Sequence, residues 1–186
     1  MPQRRERKLS KRTSLITFIV AVVVQILILV AVPARKVFTT ATGKTVVLKV
    51  QPVDPYSILS GYYATLGFDI SRLDAFPNAR GMFQEYSEGA WLYAIVEKGD
   101  DGIWKPISLE RELPANLPDN RAALLGQMNR GVIRYGIEEF YIPEAQRHRI
   151  ADDLSRNVDK ARVEVKVDRS GYAALERLRI EDRVYE

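Results

Sequence analysis

The pattern of apolar and polar positions divides the chain in two. From 13 to 32 the stretch "TSLITFIVAVVVQILILVAV" contains no charged residue, whereas beyond about 45 apolar residues come in short segments that alternate with polar ones. The twenty residues of the first stretch, at about 1.5 Å each, span about 30 Å, the thickness of a hydrocarbon core. Their Val and Ile would suit a strand in water, but no strand is this long. In lipid the backbone must satisfy its own hydrogen bonds, so the expectation is a transmembrane helix over 13–32. Pro33 is expected to close it, with Arg35 and Lys36 at the far interface. The Thr-rich "VFTTATGK" (37–44) completes a tether over 33–44, leaving a basic tail at 1–12 and a domain at 45–186.

Within 45–186 the signals are those of strands. "TVVLKV" (45–50) is a β-branched run stopped by Pro52 and Pro55. "YYATLGFDIS" alternates, with Tyr62, Ala64, Leu66, Phe68 and Ile70 on one face and Tyr63, Thr65, Gly67, Asp69 and Ser71 on the other. "AWLYAIVE" (90–97) and "IWKPISL" (103–109) flank the turn "KGDDG" and predict a hairpin, whose second strand Pro106 sends to a sheet edge. "ALLGQM" and "VIRYGIEEFYI" predict a second hairpin around "NRG", with Gly131 suited to positive φ. "ARVEVKV" and the strand after "DRSG" predict a third. One short helix is expected near 144–156, with Pro143 in its first turn and Ile150, Ala151 and Leu154 at helical spacing. Residues 72–89 read as the longest loop. The fold class expected is α+β: one N-terminal membrane helix, then a β-rich, mainly antiparallel domain with one short helix.

Charge sharpens this picture. The net charge of +4 is carried by the tail, where six Lys/Arg stand against Glu6 alone, and the chain beyond 33 is close to neutral. A domain that tracks phosphate backbones should itself be basic, so nucleic acid is not an expected partner. The same asymmetry places the N-terminus in the cytoplasm and the domain outside the cytoplasmic membrane, in the periplasm if the cell is Gram-negative. The competing reading is a signal peptide cleaved after Ala34, although its apolar region exceeds the usual length of about 7–15 residues. Gln25 is the strongly polar side chain of the span and either bonds a neighbouring helix or is tolerated alone. The absence of cysteine excludes disulfides, zinc–thiolate sites and thiol nucleophiles, and His148 is the one histidine.

The stretch "DPYSILSGYYATLGF", placed after tail, span and tether, resembles the GDYXXLXY family of membrane-anchored bacterial proteins, which have no assigned biochemical activity. The motif falls on Gly61, Tyr62, Tyr63, Leu66 and Phe68. Gly, the first Tyr and Leu match, whereas Tyr62 stands for the motif's Asp and Phe68 for its last Tyr. The resemblance continues through "RYGIEEFYIPE" (134–144) and "ARVEVKVDRSGYAALERLRIED" (161–182). A phenol with a pKa near 10 cannot replace a carboxylate as acid or base near neutrality. The motif is therefore read as packing: Gly61 permits close backbone approach, and Tyr62, Leu66 and Phe68 fill the inner face. Tyr63 points the other way and could serve recognition.

"RYGIEEFYIPE" is the best place for a polar site, with Arg134, Tyr135, Glu138, Glu139 and Glu144 close together. On a continuous strand Arg134 and Glu138 would share one face, and Tyr135, Glu139 and Tyr141 the other. The aspartate pairs at 100–101 and 152–153 lack the alternating oxygen spacing of a calcium loop and read as a turn and a solvated helix face. No cofactor or metal site is implied, and neither a phosphate loop nor a "GxSxG" elbow occurs. The leading functional reading is a non-catalytic interaction module at the cell envelope. Its partners would be the bilayer, through 13–32, and a membrane-protein or envelope component. The alternative is an envelope hydrolase using paired carboxylates drawn from Asp54, Asp69, Glu138 and Glu144, which would have to converge within roughly 5–10 Å.

Overall fold

A computed structural model describes residues 3–51, 59–60, 63–79 and 87–185. Pro52, Asp54, Pro55, Gly61 and Tyr62 lie outside the described residues. Two compact units divide between Phe38 and Thr39.

The first unit is helical. Helix α1 runs over Gln3–Thr42, and the described large apolar side chains from Leu15 to Val30, with Val37 and Phe38, are exposed by 37–68%. The stretch Ser14–Thr42 is long and apolar enough to cross a membrane. One expectation is corrected here. Pro33 lies inside α1 rather than closing it: a proline removes one backbone donor, and the bonds on either side carry the helix past it. The segment 33–44 is helical as far as Thr42. Nothing after Pro33 breaks a helix until Gly43, whose N–H donates to the Thr39 carbonyl at 2.8 Å, and the next residue already begins a strand.

The second unit is β-rich, and all its strand pairings are antiparallel. Its strands are β1 (Lys44–Gln51), β2 (Leu59–Ser60), β3 (Tyr63–Thr65), β4 (Gly67–Phe68), β5 (Trp91–Lys98), β6 (Trp104–Glu110), β7 (Arg121–Asn129), β8 (Val132–Arg134), β9 (Glu139–Tyr141), β10 (Ala161–Val167), β11 (Ala173–Ile180) and β12 (Arg183–Tyr185). They form a five-stranded sheet β12-β11-β10-β1-β4, a three-stranded sheet β2-β3-β9 and a four-stranded sheet β6-β5-β7-β8. Helix α2 (Arg147–Asn157) is the short helix expected, entered through a 3-10 turn at Glu144–Gln146.

The three expected hairpins are present as β5–β6, β7–β8 and β10–β11. At the β7–β8 turn both Arg130 and Gly131 have positive φ, 51° and 80°, the geometry whose twist matches paired strands. Pro106 sits on β6, an edge strand, and the register shifts by one residue beside it. The bulge accommodates the donor that proline lacks.

One contiguous core joins the sheets. Val46, Leu48 and Val50 of β1 and Val163 and Val165 of β10 are buried at every second position, and Ile150 and Leu154 of α2, one helical turn apart, are buried with them. Each such side chain contributes about 1.5–3 kcal/mol when fully buried.

Candidate interaction surface at the paired motif segments

The "YYATLGFDIS" segment is not one strand. Beyond Tyr62 it consists of β3, β4 and a 3-10 turn at Asp69–Ser71. β3 pairs with β9, while β4 pairs with β1 in a different sheet. The chain changes sheets at Leu66, whose N–H donates to the Glu138 carbonyl at 2.7 Å. Alternation survives the crossing, because Ala64, Leu66, Phe68 and Ile70 all remain buried. Asp69 faces outward and accepts a hydrogen bond from the Gln51 amide.

"VIRYGIEEFYI" is also interrupted. β8 ends at Arg134 and β9 begins at Glu139, and Gly136 between them has φ 77°. The face assignment made for a continuous strand is therefore overturned. Tyr135 is buried, 4% exposed, and does not share a face with the exposed Glu139 and Tyr141. Arg134 is exposed, and no ion pair joins it to Glu138 among the described residues. The Glu138 carboxylate instead accepts the N–H groups of Tyr135 and Gly136 at 2.6 and 2.9 Å, holding the bend. Both of its oxygens serve the backbone. Glu144 is exposed in the turn before α2.

The two motif segments thus bind each other. Tyr63, Ala64 and Thr65 stand opposite Tyr141, Phe140 and Glu139, and the Tyr135 hydroxyl donates to the Ile70 carbonyl at 2.5 Å. Burial, and secondarily the Glu138 charge, push the Tyr135 phenol well above its ordinary range, so it remains a donor. On the outer side the rings of Tyr63 and Tyr141 meet edge to face, with centroids 5.6 Å apart and planes at 70°. They are 45% and 57% exposed, and Glu139 lies beside them. The result is an aromatic pair next to a carboxylate on the three-stranded β2-β3-β9 sheet.

A family model described as "GDYXXLXY protein" matches residues 25–178. The chain belongs to the GDYXXLXY family. Comparisons with curated proteins and with solved structures gave no match. In this GDYXXLXY protein the described motif residues divide by role. Leu66 and Phe68 are each 2% exposed and pack the core, whereas Tyr63 is at the surface.

Two features escaped the sequence. Gly126 of β7 leaves room for both Ile133 and the Tyr135 ring: a Cβ there would lie 2.5 Å from Ile133 Cγ2 and 2.7 Å from Tyr135 Cε1. The second is Asp168, at the start of the "DRSG" turn. Its carboxylate accepts the Ser170 hydroxyl at 2.6 Å and the N–H groups of Ser170 and Tyr172 at 2.8 and 3.1 Å. The hydroxyl of Thr39, fully buried, donates to its other oxygen at 3.0 Å, a bond within the second unit, which begins at Thr39. Burial raises the Asp168 pKa, but these hydrogen bonds outweigh it and hold the group below its ordinary value. The turn reading of Asp101 holds, since it accepts the Ile103 N–H at 3.1 Å. Asp153 departs from the solvated helix face expected of it: it binds Arg183 at 2.7 Å and the Tyr185 hydroxyl at 2.5 Å.

Proposed function

We propose that this GDYXXLXY protein is a single-pass membrane protein that holds its β-rich domain on the extracytoplasmic side as a non-catalytic interaction module. The Tyr63–Tyr141 surface is its recognition element. One observation carries the recognition role: of the described motif residues, Tyr63 is the one that packing does not explain, and it stands at the surface beside a second exposed ring. Exposed aromatic pairs offer large contact area at small entropic cost, which is why interfaces favour them. The anchor reading is supported by the exposed apolar length of α1. Its orientation is supported by the six basic residues of the tail and the preference of such clusters for the cytoplasmic face. The partner fitting this placement is an envelope component or a neighbouring membrane protein.

The test has two parts. Protease added to right-side-out vesicles should trim the chain to a short protected fragment carrying the tail and span; complete protection of the domain would reverse the orientation. Purification of the full chain from native membranes in mild detergent should then retain a partner that is lost from the Tyr63→Ala, Tyr141→Ala variant. Equal recovery with both chains would remove the recognition role from this surface.

A further inference from the structure

The outer face of the five-stranded sheet carries an arrangement that folding alone does not favour. Lys49 of β1 stands opposite Arg162 of β10, and Arg162 opposite Arg179 of β11, so three cations lie in one row across three strands. Like charges directly opposite one another destabilise a sheet. The face neutralises this row at one end only. Glu164 pairs with Arg179 at 3.0 Å and divides its charge with Arg177 at 3.7 Å. Arg162 directs Nη1 to the carbonyls of Asp159 and Ala161, both at 2.8 Å, which fixes its guanidinium without cancelling its charge. Lys49 has no acidic partner among the described residues.

We propose that this row docks against the anionic headgroups of the bilayer that holds the chain, which rests on the anchored reading given above. Neighbouring strands are about 4.8 Å apart, so the row presents its cations at a spacing that lets one phosphodiester be shared by two of them. Guanidinium groups suit phosphate oxygens in particular, through paired donors in a rigid fork. The connection supplies the local concentration. α1 ends at Thr42 and β1, which carries Lys49, begins at Lys44, so headgroups are held near the sheet by tethering rather than by free diffusion. A docked face would also restrict the directions in which the Tyr63–Tyr141 surface is presented.

The full chain is reconstituted into vesicles of phosphatidylcholine alone and into vesicles of phosphatidylcholine mixed equally with phosphatidylglycerol. A membrane-impermeant amine reagent is applied, and modification of Lys49 is read by mass spectrometry against Lys98 at the end of β5, an exposed reference on another sheet. In the anionic vesicles Lys49 should react roughly fivefold more slowly relative to Lys98, as expected for the attraction of a basic side chain to an anionic surface. Molar salt should remove the difference, and Arg179→Gln should reduce it. An unchanged Lys49 to Lys98 ratio overturns the proposal. So does equal protection by inorganic phosphate on neutral vesicles, which would make the row a site for free anions. Failure of the chain to float with neutral vesicles would instead overturn the anchored reading itself.

Discussion

The hydroxyl of Tyr135 donates to the carbonyl oxygen of Ile70 at 2.5 Å, inside the core and 65 residues away along the chain. This bond closes the pairing that begins with Tyr63 opposite Tyr141. It joins the family's motif segment to the second segment of the family resemblance. Its geometry depends on Gly126, which leaves room for the ring.

Tyr135→Phe keeps the ring and removes the donor, leaving a buried carbonyl without its partner. The expected loss is about 1–3 kcal/mol, measured by unfolding of the full chain in detergent. Gly126→Ala should destabilise by about 1–3 kcal/mol through overpacking, although alanine normally improves on glycine in a strand. Combined with Tyr135→Ala its cost should shrink in part, since the ring contact is then gone while the contact with Ile133 Cγ2 remains. Additive losses would show that Gly126 does not serve Tyr135.

Leu66→Ala and Phe68→Ala should each cost about 2–5 kcal/mol, a large share of a domain stability of about 5–15 kcal/mol. Tyr63→Ala should cost no more than about 1.5 kcal/mol, the value of an aromatic pair, while abolishing partner capture. Thermally silent Leu66→Ala and Phe68→Ala would mean that the motif is a binding surface throughout.

Glu138→Ala removes the acceptor for the N–H groups of Tyr135 and Gly136 and should cost about 1–3 kcal/mol. Glu138→Gln, with one carbonyl oxygen left, should recover part of that loss. A variant that keeps full stability but loses a hydrolytic activity would restore the carboxylate to a chemical role.

Asp168 and Asp153 both ionise more readily in the folded domain than in the unfolded chain. For Asp168, hydrogen bonds from Ser170, Thr39 and the turn backbone overcome burial; for Asp153, the Tyr185 hydroxyl and Arg183 act directly. A depressed folded-state pKa stabilises the fold above the unfolded value, near pH 3.9, and that contribution disappears as pH falls through the folded value. Unfolding midpoints should therefore drop steeply below about pH 4. Asp168→Asn, whose amide can still accept from the turn but does not titrate, should flatten this acid limb. An acid limb unchanged by Asp168→Asn would place the effect elsewhere.

The sequence by itself determined the features set by local composition and period. Charge-free apolar length made α1 a candidate span, turn residues marked the three hairpins, and Pro106 sent β6 to an edge. Alternation identified Ala64, Leu66, Phe68 and Ile70 as inward-facing, and this held even though their segment is broken, because side chains keep alternating through a change of sheet. Other features depended on contacts between distant residues. Pro33 marked a helix end on local grounds, yet a helix with intact bonds on both sides passes it. Gly136 turns the chain so that Tyr135 enters the core while Glu139 and Tyr141 remain outside, and one period cannot describe a segment that serves two sheets. Glu138 resembled a free carboxylate until the bend brought two N–H groups to it. The pairing of Tyr63 with Tyr141, the clearance at Gly126 and the bond from Thr39 to Asp168 each join residues far apart in the chain. Such relationships have no local sequence signal, because their energy exists only once the sheets have assembled.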